Sequence, residues 1–332
     1  MNQKVSVIVP IFNKERYISR CLDSILGQTY TDLEVVIYDD ASTDHSFQIC
    51  ESYRKKYPFV KLLRNPDNRI GPGRARKTAC RSATGKYICF ADADDCLEPE
   101  MIEKMVERQL QTGAEIVCCG YTENYQNSKK ICRAGSEDYL ELDEDNNGKK
   151  HLLEKMFFDP GFASYFWNKM FLRDFLIQNI ELFSEKECFE DLDTLYKIAL
   201  KCKKVACLKD PCYHYYRYTG ESIMSGWNEQ ASMDFINTYQ NAMKLIVKQY
   251  PEMEGLMTRA CLTAILRGCK AVLKMSHGRC VYAGQRMCRE CLKEYPEWKD
   301  CMRGSDRIQM YIVLYIPWIM RIALKGKVVL YG

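Results

Sequence analysis

Short β-branched runs alternate with helix-length amphipathic segments through the first third of the chain. Val5 to Val9 is β-branched and apolar except for Ser6, which predicts a buried strand, and Glu15 to Leu26 carries apolar residues at helical spacing. The same alternation predicts a strand over Glu34 to Tyr38, a helix over Asp44 to Lys56 and a strand over Val60 to Leu63. A helix over Gly73 to Ser82 follows a Gly-Pro-Gly turn. Tyr87 to Ala91 and Glu115 to Cys119 read as further strands, with a helix over Pro99 to Gln111 between them and Pro99 in its first turn. This alternation predicts right-handed crossovers and an α/β fold, a mainly parallel Rossmann-like sheet flanked by helices on both faces. Ligands of such sheets sit beyond the carboxyl ends of the strands, so chemistry is expected directly after each one.

The pattern then changes. From about Asn124 to Lys150 the chain is polar and charged and reads as loops around the sheet edge, and His151 to Arg217 is rich in aromatic residues. From Trp227 onward it predicts a helical C-terminal region, with helices over Met233 to Tyr250 and Leu256 to Lys274. Ile308 to Met320 is uncharged between Arg307 and Arg321 and is interrupted by Pro317. It is shorter than the roughly 20 apolar residues that a membrane span needs. Its aromatic and basic residues (Tyr311, Tyr315, Trp318, Arg321, Lys325, Lys327) suit a segment over 308–324 that lies in a membrane interface; a core or oligomer helix is the alternative.

Composition narrows the classes. With 332 residues, 47% of them hydrophobic, the chain can bury a substantial core. A formal charge of +4, with 48 basic residues interspersed among 44 acidic ones, leaves no nucleic-acid footprint. The 18 cysteines are scattered, and the N-terminus runs straight into a strand without the features of a signal peptide, so a reducing cytoplasmic home is expected. Cys288 and Cys291 form a lone CxxC that reads as two thiols, not a zinc site.

Two acidic clusters stand where ligands are expected. Asp92-Ala93-Asp94-Asp95 follows the strand at Tyr87, and alternation along an extended chain points Asp92 and Asp94 together and Asp95 away. Such a carboxylate pair can hold Mg2+ or Mn2+ and, through the metal, a diphosphate; an acidic turn that caps the next helix is the alternative. Tyr38-Asp39-Asp40-Ala41-Ser42-Thr43-Asp44 follows the second strand, where one acid can accept from a base or ribose and Ser42, Thr43 and Asp44 can cap a helix. A dinucleotide-binding unit would need glycines after the first strand, but the sequence there is Pro10-Ile11-Phe12-Asn13. A metal held by Asp92 and Asp94, aided by Arg74, Arg76 or Lys77, can meet diphosphate charge instead.

The segments VSVIVPIFNKERYISRCLDSILGQTY, VVIYDDASTD, GPGRARKTACRSATGKYICFADADD, WNKMF and FEDLDTLYKIAL resemble, in order and spacing, the family 2 glycosyltransferases of the GT-A fold, over roughly residues 4 to 222. The resemblance implies a nucleotide-sugar-binding half at 1–124, an acceptor and catalytic half at 125–225 and a helical region at 226–332. It implies that Pro10, Phe12 and Asp40 line the base pocket, with Asp40 accepting from the base and Asp39 as second choice, that Asn13 belongs to the nucleotide-sugar site, and that Arg76 approaches the diphosphate. Lys77 stands where the family usually has Asn, which removes any amide-specific role there. Asp92 would contact ribose or phosphate beside Ala93, and Asp94 would be the metal ligand, for Mn2+ or Mg2+. Glu190-Asp191 opens an amphipathic helix whose dipole favours ionised acids. Capping alone would explain the pair; the resemblance assigns the catalytic base to Asp191 with Glu190 in support.

Three outer positions complete the expectation. Trp167, in an aromatic run, is a candidate sugar platform, although most aromatics at such density are core. His214 and Arg217, followed by Gly220-Glu221-Ser222-Ile223, resemble the loop that closes over the donor diphosphate. The implied activity is inverting transfer from a nucleotide-diphosphate sugar, with UDP favoured, to a hydroxyl of a lipid-linked or polysaccharide acceptor in cell-surface polysaccharide or glycolipid synthesis. The enzyme would be cytoplasmic, with peripheral contact on the inner face of the membrane. A catalytically silent nucleotide-sugar-binding or scaffolding protein is the competing reading.

Overall fold

A computed structural model describes residues 3–65, 67–125, 128–132, 142, 147–159, 162, 164–217, 228–275, 280–302 and 304–330. The chain forms two compact units, Met1–Tyr218 and Thr219–Gly332.

The first unit begins as the apolar pattern requires. Strands β1 (Val5–Ile11), β2 (Leu33–Asp40), β3 (Val60–Asn65) and β4 (Tyr87–Phe90) pair in parallel in the order β3-β2-β1-β4. Helices α1 (Ile18–Leu26), α2 (Ser46–Lys56) and α3 (Pro72–Ser82) make the crossovers between them. Helix α1 buries Ile18, Cys21, Leu22 and Ile25, the i, i+3, i+4, i+7 stripe that amphipathic packing demands. Parallel register sets Ile11 opposite Asp39, so the ends of β1 and β2 reach the same sheet edge.

Beyond β4 the sheet is mixed, and more antiparallel than the strand–helix alternation implies. A short β5 (Cys96–Leu97) precedes α4 (Met101–Thr112), and β6 (Ile116–Asn124) forms a hairpin with β7 (Lys129–Cys132). Pro99 lies in the turn before α4, not in its first turn. After α5 (Asn147–Phe158), β8 (Lys169–Leu172) enters antiparallel between β4 and β6. Helices α6 (Arg173–Gln178) and α7 (Glu190–Lys201) lead into β9 (Val205–Tyr216), which runs parallel to β6 and antiparallel to β5. The stretch read as loops over 124–150 thus contains β7 and the start of α5. Pro211 sits opposite Gly120 where the β6–β9 register shifts, the kind of irregularity at which a strand tolerates a residue without an N–H.

The second unit is helical: α8 (Glu229–Gln249), α9 (Glu254–Lys274), α10 (Cys280–Leu292), α11 (Trp298–Cys301), α12 (Gly304–Tyr315) and α13 (Pro317–Leu330). Cys288 and Cys291 are buried free thiols on α10. The 308–320 run is split at Pro317, and α12 and α13 bend by 116°. Among the described residues no single helix is long and apolar enough to cross a membrane.

Candidate active site

The loops after β1 and β2 are stapled together. Asn13, at φ 52°, accepts at Oδ1 from the Thr43 N–H (2.8 Å), and its own N–H donates to Ser42 Oγ (3.1 Å). Asp39 is buried, accepts from the Ser42 N–H (3.2 Å) and pairs with Arg64 (3.2 Å). Asp40 is also buried, and it accepts from the backbone N–H groups of Ile70 (2.9 Å) and Gly71 (2.8 Å). Its carboxylate therefore holds the turn that launches α3, with Gly71 at φ 87°, where a side chain would be strained. Pro10 and Phe12 stay half-buried at this edge, and the Arg69 guanidinium lies over the Phe12 ring at 4.6 Å. Arg69 Nε is buried without a hydrogen bond among the described residues, a donor available to a ligand.

Helix α3 delivers Arg76. Its backbone passes so near the Ser184 carbonyl that a Cβ at Gly73 would fall 2.0 Å from that oxygen, so only glycine permits this approach toward α7. Arg76 is 3% exposed and reaches three carboxylates: Nη2 donates to Asp92 (2.8 Å), and Nη1 to Glu190 (2.5 Å) and Asp191 (3.1 Å). A buried guanidinium must be paired, and these acids pair it. These contacts are made within the protein through the terminal nitrogens, while Arg76 Nε is buried without a hydrogen bond among the described residues.

Burial pushes the Asp191 carboxyl up to about 7; Arg76 pulls the other way and the neighbouring Glu190 adds to the rise. The dipole of α7 was expected to favour the ionised form, but loss of water outweighs it.

The acidic turn after β4 sorts its residues as alternation implied. Asp92 and Asp94 are half-buried, whereas Ala93 and Asp95 face inward. The Asp95 N–H closes the turn on the Asp92 carbonyl (3.0 Å), and Asp95 accepts from the Tyr213 hydroxyl (3.0 Å) and the Tyr216 N–H (2.8 Å). Burial raises both Asp95 and Asp92 above the ordinary carboxylate range. Asp94 pairs with Lys14 Nζ (2.5 Å), and Arg20 donates to the Asp94 carbonyl (2.6 Å). Among the described residues no group of three or more His, Cys, Asp or Glu could hold a metal. Asp94 with Asp92 makes a two-carboxylate oxygen set, which fits a Mg2+-type ion only where phosphate oxygens and water complete its shell.

Residues 6–178, a little over half of the chain, match the profile of Glycosyl transferase family 2. The chain belongs to that family. It is 26% identical over 245 residues to the glycosyltransferase GlyG of Streptococcus pneumoniae, covering 72% of this chain and 79% of that one. Its fold is that of S. aureus TarS 1-349 solved in complex with UDP-GlcNAc, with a TM-score of 0.68 at 20% identity over 97% of this chain and 90% of that one. The mannosyltransferase PcManGT of Pyrobaculum calidifontis, solved with GDP-Man and Mn2+, aligns at a TM-score of 0.51 and 18% identity over 95% of this chain and 88% of that one. The sheet and its flanking helices are thus a GT-A glycosyltransferase fold with a helical C-terminal region.

The outer candidates of this glycosyltransferase behave differently. Trp167 is 2% exposed and stacks on Tyr165, Tyr213 and Tyr215 with Tyr121 edge-on, so it is core and not an open sugar platform. His214 pairs with Glu98 (2.6 Å) and lies opposite Cys96 of β5 in the sheet. Arg217 pairs with Glu123 (3.0 Å) and lies over Tyr215. Residues 220–223 lie outside the described residues. Four residues were missed by sequence reasoning: Lys14 on Asp94, Arg20 on the same turn, Arg69 on Phe12, and Tyr213, whose hydroxyl accepts from the Asp92 N–H (3.0 Å) while donating to Asp95. Lys14 alone carried a signal, as a cation directly after the β1 turn.

Proposed function

We propose that this family member is an inverting, metal-dependent glycosyltransferase that moves a hexosyl-type sugar from a UDP-sugar to an acceptor hydroxyl in cell-surface polysaccharide or glycolipid synthesis. The observation that carries the reading is the buried cluster in which Arg76 touches both Asp92, at the end of β4, and Asp191, at the head of α7. The donors bound to TarS and PcManGT support a nucleotide-sugar substrate.

Asp191, raised to about 7 by burial, is matched to accept a proton near neutral pH. It takes the proton of the acceptor hydroxyl, whose oxygen attacks the anomeric carbon as the nucleoside diphosphate departs, with inversion. Arg76 and Glu190 hold Asp191 in place. Phe12 and Arg69 flank the nucleotide, with Pro10 beside them. Asp94, with Asp92 adjacent, would hold Mn2+ or Mg2+, which supplies charge neutralisation to the diphosphate. Residues 1–124 serve the donor and 125–225 the acceptor.

The acceptor side has its own support in the second unit. On α12 and α13, Ile308, Tyr315, Trp318 and Ile322 are 61%, 65%, 57% and 64% exposed. Arg307 and Lys325 are exposed beside them, and Asp306 is the one acid from 304 to 330. Apolar and aromatic side chains rimmed by cations suit an anionic bilayer surface, and hence a lipid-linked acceptor met at the membrane.

The test is a donor screen by thermal shift with Mn2+, followed by NMR of the product linkage. The reading predicts stabilisation by one UDP-sugar and a product of opposite anomeric configuration. Retained configuration would contradict it.

A further inference from the structure

Two cations meet Asp94, and they meet different parts of it. Lys14 Nζ reaches the carboxylate (2.5 Å), whereas Arg20 Nη2 donates to the main-chain carbonyl (2.6 Å). The first contact occupies an oxygen that a metal would use. The second holds the backbone from which that carboxylate projects.

Helix α1 sets Arg20 there. Arg20, Cys21 and Ser24 lie within about one turn of α1, and all three bind the segment after β4. Cys21 Sγ donates to the Asp92 carbonyl (3.4 Å), and Ser24 Oγ accepts from the Leu97 N–H (3.1 Å). The Arg20 guanidinium also lies over the Tyr216 ring, 3.9 Å from its centre. A planar guanidinium can stack on a ring face and donate from its edge at the same time. Tyr216 is tied to the same turn, because its N–H donates to Asp95 Oδ1 (2.8 Å). Arg20 thus closes a ring of contacts that runs from α1 through Asp94 and Asp95 to the end of β9.

We propose that Arg20 is a positioning residue for Asp94, fixing the turn so that the carboxylate is presented in the direction a divalent cation requires. This rests on the reading of Asp94 as the metal ligand. Groups that orient a metal ligand from behind typically change metal affinity by roughly 10–100-fold when removed. Charge alone predicts the opposite sign, since a cation near the site repels the ion and its loss should tighten binding. Lys14 and Arg20 are therefore set apart by experiment: each carries one positive charge to the same residue, yet removing Lys14 frees a carboxylate oxygen and removing Arg20 releases the backbone behind it.

The test is Mn2+ affinity, measured by calorimetry in the presence of UDP, for the wild type, Arg20→Met and Arg20→Gln, with folding checked by circular dichroism. Arg20→Met, which keeps a flexible stem without donor or charge, should weaken Mn2+ binding at least about tenfold. Arg20→Gln keeps a donor without the charge and should weaken it by less, at least about twofold; it carries the test alone if the methionine variant does not fold. Unchanged or tighter Mn2+ binding in a folded variant overturns the proposal. Failure of the metal reading itself is distinguishable, because the wild type would then show no Mn2+ binding, or Asp94→Asn would bind Mn2+ as the wild type does; either result takes the proposal down with it.

Discussion

Arg76 Nη1 lies 3.1 Å from Asp191 Oδ1, although 115 residues separate them in the chain. The contact exists because Gly73 lets α3 pack on the Ser184 backbone just ahead of α7. It joins the acid at the end of β4 to the acid pair at the head of α7 in one buried charge cluster.

Arg76→Gln should therefore damage chemistry more than donor binding. Arg76 holds the Asp191 carboxyl down against burial, so its loss moves the base above about 7 and shifts the acid limb of kcat to higher pH. With the base both protonated and displaced, kcat at pH 7 should fall roughly 100-fold or more. Arg76→Lys should rescue little, because one ammonium cannot serve three carboxylates in the fork geometry of a guanidinium. Steady-state kinetics with pH, together with donor titration, separate the two effects.

Chelation should abolish transfer, and Mn2+ or Mg2+ should restore it. Asp94→Asn should weaken metal-dependent donor binding by at least about tenfold, since a hard cation loses an anionic oxygen. Lys14→Met should act oppositely on the metal alone: Lys14 pairs with Asp94 at 2.5 Å and competes for the same oxygens, so its removal should tighten Mn2+ binding measured by calorimetry.

Glu34 supplies an acid-sensitive point in the scaffold. Burial works to raise its carboxyl, yet hydrogen bonds from Lys61, Ser6 and Thr84 hold it down at about 2. A lowered folded value stabilises the protein above the ordinary carboxylate range, and that stability is lost as pH falls from about 4.5 through about 2. Glu34→Gln should cost on the order of 2–3 kcal/mol at pH 7 and flatten the decline in melting temperature over that interval.

The first four strands and three crossovers were legible because each is a plain apolar run or a helical stripe, and tertiary structure had nothing to override. The acid-bearing ends of β2 and β4 were legible for the same reason. Strand β8 was not: Lys169 buries a charge in it, and no hydrophobic pattern announces a strand that begins with lysine. The surroundings of Trp167 and Arg76 were not legible, on a common ground. Sequence shows that an aromatic or a cation is present, but whether its faces or nitrogens are already taken depends on partners such as Tyr213 and Asp191, set 46 and 115 positions away.

Trp167→Ala should accordingly lower stability by roughly 3–5 kcal/mol, the range for emptying a large buried aromatic site. Thermal or denaturant unfolding checks this. A folded variant with unchanged stability and a raised KM for acceptor would return Trp167 to the role of sugar platform.

The most direct measurement of the central claim is single-turnover transfer in Asp191→Asn, with donor affinity measured on the same preparation. The Asp191 account predicts donor binding within about threefold of wild type and transfer slowed at least about 1000-fold, since the substituted amide is neutral and cannot accept the acceptor's proton. Transfer within about tenfold of wild type at intact donor binding would contradict the assignment of Asp191 as the base.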